Sequence, residues 1–456
     1  MKKIPFFLLG LLFFVNIALI GYYAVDVPWW DEWEMFTPGA LPAGLSWNWL
    51  VARHNEHLIA TSKFLVWLLY HLNGWNVAFH IILNFLIYSA ILVWLFRFAK
   101  MATPKLALPT LAWFVVFLLS TLPQENHFFA FQTCFHFVLL SFFLTVELLF
   151  FGPATLTRTA FGALSGVFCV FSMSVGPGMM GVLLPIYLVR LWIARETRGT
   201  SGASARFIDS RFLRSAIVVL PIAASVLYWY LSLPPKDHSL MTPPWRPEFW
   251  NFFLNHVSSG FAFGSMSLVW GVICLSVVLV PVVGPFVRAV RKRTAPTATD
   301  WALLVLTGGL LACSALIALG RARYIAEVFN APKASRYSEL SIFLIPFAVM
   351  AWANFLGARA RELKVLLVTL WVFCFFPFAD LWKFKVYRNK SREHVAGTQC
   401  LRDYYLNGGS GNCPYLYPNG PIAVHLENAR KLNASFYRKH GRPRENPLSQ
   451  APAFVR

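Results

Sequence analysis

What most constrains this chain is repetition: apolar stretches long enough to cross a bilayer return along most of its first ~380 residues, out of 456. A segment in lipid must satisfy its own backbone N–H and C=O groups, so many such runs fold as a bundle of helices. Charged residues make up only 13% of the chain, too few to cover a water-soluble surface of this size. The sequence therefore reads as an all-α polytopic membrane protein with about eleven transmembrane helices. The expected spans are Phe6–Tyr23, Val77–Phe96, Leu106–Leu122, Phe135–Phe151, Thr159–Val175, Met179–Ile193, Ser215–Leu233, Ser267–Val287, Trp301–Leu319, Leu340–Leu356 and Val365–Ala379.

Lys and Arg set the orientation, because cytoplasmic segments retain positive charge. With the Met1-Lys2-Lys3 end inside, 19 Lys and Arg fall in cytoplasmic segments and eight in the opposite loops before the tail. An odd number of spans then puts the C-terminus outside. The formal charge of +20 does not point to nucleic acid, since much of it is this inside bias and another 13 basic residues lie after Asp380. The first run lacks a small-residue cleavage site and is read as a signal-anchor span. Cys134, Cys169, Cys274, Cys313 and Cys374 sit in or beside apolar runs, where cysteine acts as a small hydrophobe. Cys400 and Cys413 instead flank "LRDYYLNGGSGN" in the outside tail, a suitable place for one disulfide in an oxidising compartment. No spacing matches a zinc site.

The densest chemistry follows the first run. "DVPWWDEWEMF" packs Asp26, Asp31, Glu32 and Glu34 among Trp29, Trp30 and Trp33. A carboxylate close to the bilayer and flanked by rings is placed to take a proton from a hydroxyl. An interfacial aromatic belt with solvated acids has a similar composition, but the belt alone does not need the acids. Later in the same long loop, "LSWNWLVARHNEHLIATSKFLVWLLYHLNGWN" has helical periodicity and predicts one or two amphipathic helices at the membrane surface. Within it "RHNEH" (Arg53, His54, Asn55, Glu56, His57) is expected to spread five polar side chains over one and a half helical turns, as a second wall of the same site.

Two more outside segments carry polar groups. "QEN" (Gln124, Glu125, Asn126), followed by Phe128, Phe129, Phe131, Gln132 and His136, offers amides and a carboxylate for sugar hydroxyls and rings for stacking. Arg321, Arg323, Lys333 and Arg336 supply half of the eight outside cations; a phosphate would match such a cluster, and so would ordinary lipid headgroups. On the other face the longest loop is small and basic, and neither a P-loop nor a GxGxxG is present, which removes ATP-driven transport and cytosolic nucleotide-sugar chemistry. The tail from about Lys383, rich in Gly, Pro, Asn and Arg, reads as a small appended cap, partly disordered toward its end.

Taken with their order and placement, "WWDEW", "HNEH", "QEN…FQ" and "SRY" (Ser335-Arg336-Tyr337) give a sequence that resembles the GT-C superfamily of polytopic glycosyltransferases, in particular the bacterial O-antigen-modifying kind. The resemblance covers residues 1–382 as one transmembrane domain and leaves 383–456 as a small periplasmic tail. It implies an inverting transferase of the bacterial inner membrane that moves a sugar from a polyprenyl-phosphate donor to an acceptor glycan or glycolipid on the periplasmic face. It further implies Asp31 as general base with Glu32 orienting acceptor or base, the order of the two acids leaving either as the base and the nearness of Asp26 and Glu34 leaving the assignment open among all four. Glu34, Asn55, Glu56, His57, Gln124, Glu125 and Asn126 would bind acceptor or sugar, and Arg321, Arg323, Arg336 and Tyr337 the donor phosphate. No cofactor is required, and a divalent metal at the acids stays open. An O-antigen polymerase or ligase, or a transporter of lipid-linked sugars, are the competing readings; transporters favour mid-span polar residues and internal repeats, and no repeat is visible here.

Overall fold

The computed structural model describes residues 4–104, 114, 118, 124–196, 210–234, 241–261, 267–325, 334–356, 383–418 and 420–441. Among them the fold is all-helical, and the only strand-like pairing is one bridge between His54 and His57.

Nine of the expected spans fall on described helices, and seven helical segments are long and apolar enough to cross a bilayer. α1 (Ile4–Tyr23) is followed by the first loop, which contains α2 (Trp47–Val51) and α3 (Ala60–Asn73). The bundle continues with α4 (Val77–Ala102), α5 (Gln124–Phe128), α6 (Thr133–Phe150), α7 (Leu156–Val170), α8 (Gly176–Glu196) and α9 (Ser210–Leu231). Then come α10 (Pro247–Ser259), α11 (Leu268–Lys292), α12 (Ala298–Arg321), α13 (Ser335–Ile342) and α14 (Leu344–Leu356). α15 (Lys383–Asn407) and α16 (Ala423–Lys431) form the tail. The first and fifth expected spans meet shorter apolar stretches, Leu9–Tyr23 and Leu156–Val170. The expected spans Leu106–Leu122 and Val365–Ala379 lie outside the described residues apart from Phe114 and Leu118, as do residues 197–209 of the long basic loop, Lys333 and residues 442–456.

Local sequence explains where these helices begin and end. Side chains of Asn76, Thr155, Ser267 and Thr297 accept from backbone N–H groups of the first turns of α4, α7, α11 and α12. Lys100, Arg291, Lys292 and Arg321 lie in last turns, where the helix dipole favours cations. α3 ends at Gly74, whose φ of +75° is the left-handed cap that glycine adopts without strain. Of the seven, the segments Ala130–Phe150, Ala298–Arg321 and Arg336–Leu356 are the most enclosed.

The tail does not stand apart. α15 packs on α1 and α5, and α16 packs on the 3-10 helix Trp30–Phe36 of the first loop. Phe436 meets Trp33 and Phe36 edge to face at 5.3 and 5.6 Å, and all three rings are fully buried. Cys400 and Cys413 are joined, closing the loop between α15 and residues 414–417.

Candidate functional site

The four carboxylates of the first loop part company in the fold. Asp26 is buried: Oδ1 accepts from Val77 N at 2.8 Å, at the start of α4, and Oδ2 from Ser435 Oγ at 2.6 Å, in the tail. Glu32 is 2% exposed, and its two oxygens accept from Trp29 N and Phe131 N at 2.8 and 2.9 Å, tying the loop to the segment after α5. Burial outweighs those two donors and pushes its carboxyl up to about 8. Glu34 accepts from Tyr417 Oη at 2.6 Å. Asp31 has its side chain 38% exposed and makes no scaffold hydrogen bond of this kind.

Asp31 owes its position to backbone strain held from outside the loop. Trp30 has φ +50°, a left-handed conformation that costs a bulky residue ~1–3 kcal/mol, and its N–H donates to Leu416 O of the tail at 2.7 Å. Next to it Trp29 Nε1 donates to Tyr415 O at 3.1 Å. His54 Nε2 lies 3.6 Å from Asp31 Oδ1, an electrostatic contact longer than a hydrogen bond, and the imidazole packs tilted against Phe131 with ring centroids 4.9 Å apart. Burial raises the Asp31 carboxyl, but His54, Arg336 and His57 outweigh it and leave it below the usual carboxylate range.

"RHNEH" is a tight turn and not the expected stretch of helix. His54 and His57 exchange backbone hydrogen bonds of 2.9 Å each way, and Asn55 at the tip has φ +52°. Asparagine tolerates that conformation, which is why the helical periodicity breaks here. Asn55 is exposed at the turn. Arg53 locks the turn in place by donating to the carbonyls of Glu56, Ser232 and Trp229, the last two at the C-terminal end of α9. Lys63 Nζ, buried between the carbonyls of Trp49 and Ala52 at 2.8 and 2.6 Å, caps α2, and burial lowers its ammonium to about 8.

Asp31 opens into a cavity of ≈ 370 Å³ walled by Trp29 and Trp30, by Glu125 and Phe129, by Arg336, and by Lys390, Glu393, Pro414 and Tyr415 from the tail. Arg336 Nη1 stands 3.7 Å from Glu125 Oε2, Lys390 Nζ pairs with Glu393 Oε2 at 3.0 Å, and Lys390 also lies 4.5 Å over the Trp29 ring. Rings, two further carboxylates and two cations thus surround Asp31.

A second, mostly apolar cavity is lined by Met173, Val175, Trp229, Leu316, Ile317 and others, with Glu56, His57, Ser174 and Arg321 among its polar groups. Arg321 and Glu56 form an ion pair, and His57 Nε2 is 3.4 Å from the same Glu56 oxygen. Ser174 Oγ donates to Glu56 O at 2.6 Å, so it accepts from His57 Nδ1 at 3.1 Å. Burial holds His57 down at about 4, against the pull of Glu56, so the ring is neutral at pH 7. Tyr337 lines this cavity while its neighbour Arg336 lines the first.

The fold therefore brings Asp31, Glu125 and Arg336 to one cavity and Glu56, His57, Arg321 and Tyr337 to the other. Glu32 and Glu34 are ties, and Asn126 is fully buried, donating to Arg336 O at 3.0 Å and to Glu339. Arg323 lies on the turn Ala322–Ile325 and lines neither cavity; only the backbone of Gln124 is described. Lys390, Glu393 and Tyr415 were not expected at all, because nothing in a Lys- and Arg-rich tail marks which cation turns toward a ring. Among the described residues no three His, Cys, Asp or Glu side chains converge as a metal-binding group.

The class these features define is a polytopic, all-helical, multi-pass membrane protein. Comparison with known proteins adds no family to that: no family model, no curated protein and no solved structure matches the chain.

Proposed function

We propose that this protein is an inverting membrane glycosyltransferase that moves a sugar from a polyprenyl-phosphate donor to an acceptor glycan or glycolipid, working on the periplasmic face of a bacterial inner membrane. The observation that carries this reading is the segregation of the first-loop acids: three are tied up by scaffold hydrogen bonds, and Asp31 remains ionised and open in a ring-lined cavity opposite Arg336. Aromatic faces and carboxylates suit a saccharide, which presents C–H surface and hydroxyls together. The adjoining apolar cavity headed by Arg321 suits a lipid chain ending in phosphate.

In the reaction the acceptor hydroxyl oxygen attacks the anomeric carbon from the side opposite the phosphate. Its proton passes to Asp31 as the new C–O bond forms and the bond to the polyprenyl phosphate breaks. Negative charge grows on the departing phosphate, and Arg336, a cation in the wall of Asp31's cavity, is assigned to offset it. His54 steadies the carboxylate. The Arg321–Glu56–His57 group also favours a second reading, a polymerase- or ligase-type enzyme whose work is done by arginine and histidine in that second cavity.

Transfer of radiolabelled sugar from synthetic polyprenyl-phosphate sugars to an envelope glycolipid tests the proposal. Asp31→Asn is expected to lose about 10²–10⁴-fold in turnover, the usual worth of a general base, with insertion unchanged. Full turnover in Asp31→Asn with loss in Arg321→Ala would move the chemistry to the second cavity, and well-folded wild type inactive with every donor would refute transfer.

A further inference from the structure

Four polar residues that line neither cavity form a ring inside the helical bundle, closed through the Asn126 main-chain carbonyl. Asn84 comes from α4, Asn126 from α5, His136 from α6 and Glu339 from α13, and none is more than 1% exposed. Asn84 Nδ2 donates to Asn126 O at 2.6 Å, so Asn84 Oδ1, 2.6 Å from His136 Nδ1, accepts the proton carried there. On the other side of the imidazole, Nε2 is 3.1 Å from Glu339 Oε1. Glu339 Oε2 accepts from Asn126 Nδ2, and that same nitrogen donates to Arg336 O at 3.0 Å.

The donor count fixes the state of the ring. Since His136 Nδ1 already carries a hydrogen, the Nε2–Oε1 contact needs one further proton, shared between imidazole and carboxyl. Around it stand Tyr88, whose ring is 4.6 Å from His127 and 5.2 Å from His136, and Tyr387 of the tail, whose hydroxyl is 3.4 Å from His127 Nδ1. Ionisable groups buried in a membrane bundle are costly, and a buried His–Glu pair held in such a ring marks function more than stability.

The ring ends on the wall of the cavity. Glu339 is one turn after Arg336 on α13, and Asn126 follows Glu125, the carboxylate that faces Arg336. We propose that Glu339 and His136 are positioning residues: their shared proton closes the ring, and the ring holds Glu125 and Arg336 in register across the cavity. The catalytic consequence rests on the transferase reading; the geometric one does not.

Glu339→Gln and Glu339→Ala separate the possibilities. Gln presents an N–H to His136 Nε2 and a carbonyl to Asn126, which keeps the ring closed; Ala opens it. In Glu339→Ala, kcat is expected to fall about 10²-fold, the effect of a misplacement of order 1 Å, with acceptor KM within about threefold. Glu339→Gln restores kcat to near wild type, while its infrared spectrum loses any buried carboxylic-acid C=O band. Wild-type kcat in Glu339→Ala, or a Gln variant as impaired as Ala, overturns the proposal. If wild type shows no transfer, the geometric claim is read from phenylglyoxal labelling of Arg336 by peptide mass spectrometry. A several-fold change in labelling rate in Ala, absent in Gln, supports it, and equal rates in all three proteins sink it. Asn84→Ala, which removes two of the ring's bonds and keeps the His136–Glu339 pair, covers the case in which Glu339→Ala fails to fold and is expected to show the same change in smaller degree.

Discussion

The first loop and the tail are 300 residues apart in sequence and form one structure, yet they advertise themselves very differently. The loop concentrates acids, tryptophans and histidines in short motifs, and chemistry is legible there. The tail looks like an appendage. In the fold it supplies the Leu416 carbonyl that holds Trp30 in its left-handed conformation, the Ser435 hydroxyl for Asp26, the Tyr417 hydroxyl for Glu34, and Lys390, Glu393 and Tyr415 in the cavity wall. A loop that presents a strained carboxylate needs an outside frame, and this chain builds the frame from its far end.

The comparison breaks most sharply at Asp26 against Asp31. Asp26→Ala leaves Val77 N–H and Ser435 Oγ buried without partners, at ~1–3 kcal/mol each, so the thermal midpoint should drop by several degrees. Asp31→Asn should leave the midpoint within the ~0.5 kcal/mol typical of exposed sites while abolishing transfer. Equal destabilisation by the two would mean that Asp31 is also a tie.

Next comes the disulfide. Cys400→Ser frees the loop of 13 residues that leads into Pro414, Tyr415 and Leu416, and a closure of that length is worth about 2–4 kcal/mol. Protease cutting between Asn407 and Pro414 should rise, and with it the loss of transfer, because Trp29 and Trp30 lose their tail partners. Transfer unaffected by reduction would show that the first loop holds its shape alone.

Asp31 and Glu32, adjacent in sequence, should also respond oppositely to pH. Asp31 lies below its ordinary range, so the base form survives to unusually low pH and activity falls only as pH drops through that depressed value. Glu32 is raised from 4.5 to about 8 by burial, so the folded loop keeps a proton that the unfolded chain releases. Its contribution to stability is complete below about 4.5 and is lost as pH rises through 8. A melting series from pH 5 to 9 should therefore show stability declining up to about pH 8 and levelling beyond it, with the slope flattened in Glu32→Gln; a slope unchanged by that substitution removes Glu32 as the cause.

How much of this was readable follows from range. Helical spans depend on local hydropathy, and most described ones fall where their runs predict, as α4 does over Val77–Ala102. The turn at Asn55 was misread because a left-handed residue interrupts a helical pattern without changing its composition. Glu32 and Asp31 were inseparable because their difference is made by Phe131 N–H, 99 residues away, and by His54. Lys390 was invisible for the same reason: its meaning is the Trp29 ring, far off in the chain.

The smallest effect sharpens the comparison most finely. Glu34 was expected to read acceptor hydroxyls, whereas its Oε1 takes the Tyr417 hydroxyl at 2.6 Å and belongs by that contact to the frame. Tyr417→Phe removes only that donor and keeps the ring, so a loss of ~1 kcal/mol in stability is expected, with acceptor KM unchanged. Glu34→Gln should cost about the same, because it weakens the same bond by removing its charge assistance. The double variant then decides between tie and reader. If Glu34 serves the frame alone, the two losses fall short of adding, the coupling being the bond itself, and KM stays flat in all three proteins. If Glu34 also touches acceptor, its substitution raises KM with or without Tyr417, and one of the four carboxylates moves from the frame to the site.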